Sequence, residues 1–296
     1  MDLATITRKI RLLEIQSRKE VAGLLAGEFR SAFRGAGMEF EEVREYLPGD
    51  DVRSIDWNVT ARQGKPYLKR FREERELTVF FLVDASASER FGGFPESLGD
   101  LAARLCAALA FSAVRNNDKV GLMLFTDQVE KFLPPAKGPS HAMRLIREIL
   151  GHTPASPGTD LPMALDWLGR TLKRRSVVFL LSDFLAPGDF RLPLQRLAQR
   201  HDVVALVLRD PSLDTLPQGG LMHFRDPETR QEFLLDTSCP ATRSAYQRRL
   251  QQEQSTLTRQ LLSLGVDPLP LALGEEGTRK LAAFLKRRIQ RRAREH

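Results

Sequence analysis

The stretch Val79-Phe80-Phe81-Leu82-Val83-Asp84-Ala85-Ser86-Ala87-Ser88 decides the fold. Five apolar residues, all β-branched, aromatic or leucine, are typical of a parallel strand that is buried on both faces. A carboxylate and two hydroxyls follow at once, so they are expected on the loop at the carboxyl end of that strand. Open α/β sheets bind their ligands at this edge.

Strands and helices alternate outward from this stretch. Strands are predicted over 77–83, 119–125, 128–133, 176–182, 202–208 and 266–272. Helices are predicted over 96–116, 139–150, 161–172, 189–200, 240–264 and 276–293. This alternation indicates βαβ units and a doubly wound, mostly parallel sheet with one antiparallel edge strand, because segment 128–133 follows its neighbour through a short turn. Two short segments near 221–224 and 232–235 indicate a hairpin insertion between 211 and 240.

The first 76 residues have a different character. Apolar residues recur at near-helical spacing from Thr5 to Phe33, which predicts one or two amphipathic helices within residues 1–37. Residues 38–76 are highly charged and interrupted by turn signals such as Pro48-Gly49-Asp50-Asp51, so we expect an irregular segment with short strands. The predicted organisation is therefore an N-terminal helical extension (1–37), an irregular segment (38–76) and an α/β domain (77–296).

Two further side chains complete a set of hard oxygen donors. Thr159 stands in Gly158-Thr159-Asp160 before a helical pattern, and Asp183 follows the buried strand Val177-Val178-Phe179-Leu180-Leu181. Carboxylate and hydroxyl oxygens suit Mg²⁺, with Mn²⁺ and Ca²⁺ left open, rather than zinc. The candidate metal ligands are Asp84, Ser86, Ser88, Thr159 and Asp183. Each polar loop also has a plainer interpretation as a helix cap.

Other acidic residues near this set are expected to play smaller parts. Asp127 and Asp160 are interpreted as loop acids rather than ligands, with a supporting role beside the ligands left open. The five histidines have no mutual spacing typical of a metal site and are expected to have no chemical role. Cys106 and Cys239 lack the paired spacing of a zinc site or a disulfide framework, so both are interpreted as structural thiols.

The motif Asp84-x-Ser86-x-Ser88, followed by Thr159 and Asp183, resembles the metal-ion-dependent adhesion site of von Willebrand factor A domains. The resemblance implies that Ser86, Ser88 and Thr159 ligate the ion directly. It further implies that Asp84 and Asp183 act through water or through hydrogen bonds behind the ligands, and that the ion accepts an Asp or Glu from a partner protein. The strand and helix order from residue 77 to 293 is compatible with a von Willebrand factor A-like fold.

A second, longer resemblance lies upstream. It is carried by Gly35-x-Gly37-x-Glu39-Phe40-x-x-x-Arg44-x-Tyr46-x-x-Gly49-Asp50-Asp51-x-Arg53-x-Ile55-Asp56-Trp57, by Thr60-Ala61-Arg62 and by Tyr67-x-Lys69-x-Phe71. These residues resemble the bacterial domain-of-unknown-function family fifty-eight. The resemblance implies an adaptor or co-chaperone that works with a MoxR-type AAA+ ATPase or with the client of such an ATPase.

The charge pattern offers a different kind of function. The net charge is +7, and residues 240–296 carry 12 Lys and Arg against 5 Asp and Glu. The densest part, Lys286–Arg294, is either a solvated helix end or a surface for nucleic acid, anionic lipid or an acidic partner. Because no aromatic residues interleave with these cations, nucleic acid is not the expected partner.

Enzyme classes find little support in the sequence. Phosphate-binding loops, dinucleotide fingerprints, zinc-protease motifs and nucleophile elbows are absent from it. Mg²⁺-dependent phosphoester hydrolysis is the one catalytic alternative, and it usually needs more carboxylates than this set offers. No stretch approaches the 18 apolar residues of a membrane span, and the first 30 residues carry charge throughout. We therefore expect a cytoplasmic, non-catalytic interaction protein.

Overall fold

The computed structural model describes residues 9, 12, 32–33, 39–47, 50, 55–72, 76–86, 96–185, 188–225 and 231–295. The chain forms two compact units, one of residues 34–76 and one of residues 1–33 together with 77–296. The predicted helices within residues 1–37 fall almost entirely outside the described residues. Phe33 is described, and its ring packs edge-on against Phe179 at 5.5 Å between ring centres.

The smaller unit is built on two antiparallel strands, β1 (Glu39–Glu45) and β2 (Tyr67–Arg72). A short helix, α1 (Trp57–Gln63), lies between them in sequence. The sequence predicts short strands here but not this helix. Its start is stabilised by the buried Asp56, whose Oδ1 accepts a hydrogen bond from Val59 N at 3.3 Å.

The larger unit contains a six-stranded sheet in the order β10-β7-β6-β3-β4-β5. Its strands are β3 (Thr78–Asp84), β4 (Lys119–Phe125), β5 (Val129–Ala136), β6 (Val177–Ser182), β7 (Asp202–Arg209) and β10 (Asp267–Ala272). All neighbouring strands are parallel except β4 and β5, which are antiparallel. The predicted α/β class, with a mostly parallel sheet and one antiparallel edge, is confirmed.

Helices connect these strands close to the predicted positions. They are α2 (Leu98–Arg115), α3 (Pro139–Gly151), α4 (Leu161–Thr171), α5 (Arg191–Arg200), α6 (Pro240–Ser263) and α7 (Gly277–Glu295). Where a hairpin insertion is predicted, β8 (Leu221–Arg225) pairs antiparallel with β9 (Glu232–Asp236). Among the described residues, no helix combines the length and the apolar composition that crossing a membrane requires.

Helices cover both faces of the sheet, which is why its central strands are apolar throughout. On one face, Leu101 of α2, Leu145 of α3 and Leu281 of α7 belong to one core cluster. On the other face, Leu165 of α4 and Leu194 of α5 belong to a second cluster. The helix that follows β3 and the helix that follows β6 therefore lie on opposite faces, which is the arrangement at which open α/β sheets bind ligands in a crevice between the carboxyl ends of two adjacent strands.

Prolines mark both outer strands of the sheet. Pro134 and Pro135 lie in β5, and Pro268 and Pro270 lie in β10. Proline has no N–H to donate to a further strand, so it is tolerated at a sheet edge and not in the centre. The remaining strands of this sheet contain no proline.

Candidate metal centre at the carboxyl ends of β3 and β6

Asp84 lies where β3 ends, next to the end of β6. It is the last residue of β3, and only 3% of its surface is exposed. Its Oδ1 accepts a hydrogen bond from Ser86 N at 3.0 Å, and its Oδ2 accepts one from the Ser182 hydroxyl at 2.8 Å. Burial, followed by repulsion from the nearby Asp183 carboxylate, raises the pKa of Asp84 to about 7. The two acidic residues predicted for the site therefore interact electrostatically.

Ser86 follows on the same loop and is fully buried. Its backbone N–H and its side chain both form hydrogen bonds with Asp84, which opposes the rise in the pKa of that carboxyl group. The loop is further fixed because Ala85 N donates to Phe125 O, at the end of β4, at 2.9 Å. Ser88, the third member of the predicted motif, lies outside the described residues.

Asp183 follows β6 directly, beside the end of β3. Its Oδ1 accepts a hydrogen bond from Leu185 N at 3.0 Å, so the carboxylate also shapes its own loop. Phe184, which lies between Asp183 and Leu185, has a positive φ of 59°, a conformation that is strained for a bulky residue. Its ring is buried against Phe190 at 5.7 Å, and this packing together with the bond from Phe184 N to Ser182 Oγ holds the turn in place.

Thr159 reaches the same edge of the sheet from a different connection. It is 7% exposed and precedes α4. The next residue, Asp160, donates its N–H to Thr126 O at 3.0 Å, which fixes this loop to the residue that follows β4. Asp160 itself is the N-cap of α4, because its Oδ1 accepts from Met163 N at 2.8 Å. The capping role is thus filled by Asp160, and the Thr159 hydroxyl is not required for it.

The structure brings the buried Asp84 and Ser86 together with the half-buried Asp183, and it places Thr159 near the end of β4, the strand adjacent to β3. Ser182 is a member of this group that the sequence reasoning missed. It is the one polar residue of β6, in a strand that is otherwise entirely apolar. A hydroxyl at the last position of a buried strand needs a partner, and this requirement is the signal that could have identified it.

The donor set fits a hard divalent cation. Among the described residues, no three His, Cys, Asp or Glu side chains are grouped closely enough to hold a metal ion, and a cation at this place would need hydroxyl oxygens beside the carboxylates. Asp84 is buried and is repelled by the half-buried Asp183, and a buried carboxylate beside a second one is costly unless a cation compensates their charge. Ser86 and Thr159 offer neutral oxygens of the type that Mg²⁺ accepts.

Taken together, the fold and these residues define a mixed α/β protein with a largely buried group of carboxylates and hydroxyls at the ends of its central strands. The family model described as protein of unknown function DUF58 matches residues 42–256. The chain belongs to this family, which confirms that part of the resemblance seen in the sequence.

Relatives extend over almost the whole chain. The uncharacterized protein Rv1480 of Mycobacterium tuberculosis (strain ATCC 25618 / H37Rv) is 31% identical over 292 residues, which cover 97% of this chain and 91% of the relative. The uncharacterized protein YeaD of Bacillus subtilis (strain 168) is 26% identical over 107 residues, covering 36% of this chain and 25% of the relative. Neither name assigns a function.

Solved structures show a weaker similarity. An aerotolerance-related membrane protein from Bacteroides fragilis superimposes with a TM-score of 0.49 at 15% identity, covering 73% of this chain and 99% of that one. The conserved hypothetical protein BatB from Bacteroides thetaiotaomicron gives the same TM-score and identity, with coverage of 72% and 99%. Similarity at this level is too low to define the fold or the function of this chain.

Proposed function

We propose that this chain is a non-catalytic, metal-dependent protein-interaction module of the von Willebrand factor A type. The observation that carries the proposal is the buried Asp84 carboxyl group, which is bonded to Ser182 and Ser86 and is repelled by Asp183. Such an arrangement is unfavourable by itself and becomes favourable when a cation is bound.

The hydroxyls and the carboxylates of this group would hold the cation in different ways. Ser86 and Thr159 would offer hydroxyl oxygens, with Ser88 as the third hydroxyl implied by the motif. Asp84 and Asp183 would supply negative charge and orient the ligands. When bound, a divalent ion provides an exchangeable position for an Asp or Glu of a partner protein. We propose Mg²⁺ as the ion and a MoxR-type AAA+ ATPase, or its client, as the partner, on the basis of the resemblances given above.

The same site gives less support to catalysis. Metal-dependent phosphoester hydrolases usually hold their ions with several direct carboxylates. Here one carboxylate is buried and already accepts hydrogen bonds from both Ser86 and Ser182, and the other accepts a bond from its own loop. These contacts suit an orienting role and support the non-catalytic proposal.

The alternative that the basic C-terminal helix binds a polyanion is weakened by the contacts of that helix. Arg288 is 5% exposed and forms ion pairs with Asp202 and with Asp267, the latter at 3.4 Å. Arg291 makes a two-pronged contact with Asp267, at 2.8 and 3.0 Å. These two cations stabilise the fold, and the guanidinium of Arg288 also lies 4.8 Å from the ring centre of Phe33.

Calorimetric titration tests the proposal. Mg²⁺ and Mn²⁺ should bind to the wild-type chain, and Asp84→Asn should abolish binding while the protein remains folded. Asp189→Asn is a matched control, because Asp189 lies on the loop that follows β6 but is exposed and paired with Arg191 at 2.6 Å. Equal heats from the wild type and Asp84→Asn would refute the metal site. A pull-down with and without chelator then identifies partners that need both the ion and Asp84.

A further inference from the structure

The segment that carries Thr159 has no regular structure of its own. Residues 152–160, all of which the structure describes, join α3 to α4 and form neither helix nor strand. The segment includes Pro154 and Pro157, which have no N–H to donate, and Gly158, which adds backbone freedom. Something outside the segment must therefore fix the position of Thr159.

Glu130 of β5 is the main point of attachment. Its side chain is almost fully buried, with 6% of its surface exposed. Its Oε1 accepts hydrogen bonds from the Ala155 backbone N–H at 3.0 Å and from the Thr126 hydroxyl at 2.8 Å. Its Oε2 lies 3.4 Å from Nε2 of His152. One carboxylate thus contacts the 152–160 segment at two positions.

The residues just after β4 add two more attachments to the same segment. Asp127 Oδ2 accepts the Ser156 hydroxyl at 2.8 Å, and Thr126 O accepts Asp160 N at 3.0 Å. His152, Ala155, Ser156 and Asp160 are therefore all held by two residues of the β4–β5 connection, Thr126 and Asp127, and by Glu130 at the start of β5. The last of these attachments is made by the residue next to Thr159.

The electrostatics of Glu130 agree with this role. Burial would by itself raise the pKa of its carboxyl group, but hydrogen bonds from Thr126, Ala155 and Gln128, together with the nearby His152, lower the pKa below its usual value. The carboxylate is therefore held ionised, and hydrogen bonds to an ionised acceptor are stronger than those between neutral groups. Loss of this group would release two contacts at once and leave Ala155 N without its acceptor.

We propose that Thr126, Asp127 and Glu130 form a positioning latch that sets the place of Thr159 and thereby the affinity of the site for its cation. The inference rests on the proposed metal site, and it adds residues that lie outside the adhesion motif. Glu130 acts through the 152–160 segment and does not touch the ion. Groups behind metal ligands typically change metal affinity by roughly 10- to 100-fold when they are removed.

The test compares Glu130→Ala, Glu130→Gln and Glu148→Ala with the wild type. Glu148 is a matched control, because its carboxylate also makes a contact with β5: it lies on α3 and pairs with Lys131 of β5 at 3.3 Å. The Glu148 side chain does not hold the 152–160 segment. Glu130→Gln keeps an oxygen for Thr126 and Ala155 and serves as the conservative variant. Mn²⁺ affinity is measured by calorimetry, and amide hydrogen exchange of residues 152–160 is measured without metal.

We expect Glu130→Ala to weaken Mn²⁺ binding by about tenfold or more and to accelerate exchange in residues 152–160, while exchange in β3 and β6 stays slow. Glu130→Gln should recover most of both effects, and Glu148→Ala should change neither. Wild-type Mn²⁺ affinity in Glu130→Ala, or unchanged exchange in 152–160, would overturn the latch. Failure of the proposed metal site is recognised separately, because the wild type itself would then give no metal heat, whereas the exchange measurement requires no metal.

Discussion

The hydroxyl of Ser182, at the end of β6, donates a 2.8 Å hydrogen bond to Asp84 Oδ2, at the end of β3, across 98 residues of sequence. The Oγ of Ser182 also accepts a hydrogen bond from Phe184 N at 3.1 Å. Ser182 therefore links the Asp84 carboxylate to the strained turn at Phe184. This single side chain couples the two strand ends from which the candidate site is built.

Ser182→Ala should destabilise the protein by about 1–3 kcal/mol, because it leaves a buried acceptor on Asp84 and a buried donor on Phe184 without their partner. Urea unfolding measures the change. Ser255→Ala is the control, since Ser255 is exposed on α6 and its hydroxyl donates to the helix backbone at Gln251 O. Equal stability of the two variants would show that the Ser182 hydrogen bonds contribute nothing measurable.

Asp183→Asn should stabilise the metal-free protein and should reduce its stabilisation by Mg²⁺. In chelator at mildly alkaline pH it removes the repulsion that raises the pKa of Asp84, so the free energy of unfolding should rise by about 1 kcal/mol. With millimolar Mg²⁺ the variant should gain less stability than the wild type, because stabilisation by a ligand follows its affinity for the folded state.

Thermal unfolding in chelator and in Mg²⁺ measures both effects. Asp189→Asn is again the control, and it should respond to Mg²⁺ as the wild type does. A variant Asp183→Asn that is less stable than the wild type in chelator would show that Asp183 is a stabilising charge and not a repulsive one.

The protein should lose stability on acidification because of the buried His201. It is buried and accepts a hydrogen bond from Ser176 N at 3.3 Å, and burial, with Arg200 and Arg175 nearby, lowers its pKa from 6.5 to about 4. Between these values the unfolded chain binds a proton at this position and the folded chain does not. The contribution of His201 to the free energy of unfolding is therefore complete above pH 6.5 and is lost as the pH falls towards 4.

Unfolding measured across this pH range should give a shallower dependence for His201→Asn than for the wild type. His223→Asn provides the comparison, because His223 is exposed on the β8–β9 hairpin. Parallel pH profiles for the wild type and His201→Asn would contradict the prediction.

Arg288→Met and Arg287→Ala test how much the buried and the exposed face of the C-terminal helix α7 each contribute to stability. Removing one partner of a buried ion pair costs about 3–5 kcal/mol, which is the expected loss for Arg288→Met because Asp202 and Asp267 stay behind. The neighbouring Arg287 is exposed, and its loss should change stability by less than about 0.5 kcal/mol. Chemical denaturation distinguishes these outcomes, and equal losses would contradict them.

The α/β class and most strand positions could be predicted from the sequence because buried parallel strands leave long apolar runs. The positions of Asp84 and Asp183 after such runs also placed both residues at one edge of the sheet. Ser182 and Glu130 could not be found in this way. Their roles arise from contacts between segments that are distant along the chain, and a single hydroxyl or carboxylate carries no periodic signal. The helix α1 was missed because its seven residues are too few for a helical pattern to emerge.

The four prolines of β5 and β10 have a consequence for how this protein meets other molecules. A row of unsatisfied amides along an outer strand invites a foreign strand to add to the sheet and, with many copies, to grow fibrils. Prolines on both outer strands interrupt that row on either flank. Addition of a foreign strand is therefore disfavoured at both flanks of this sheet, and the sheet can stay exposed at its edges without acting as a template.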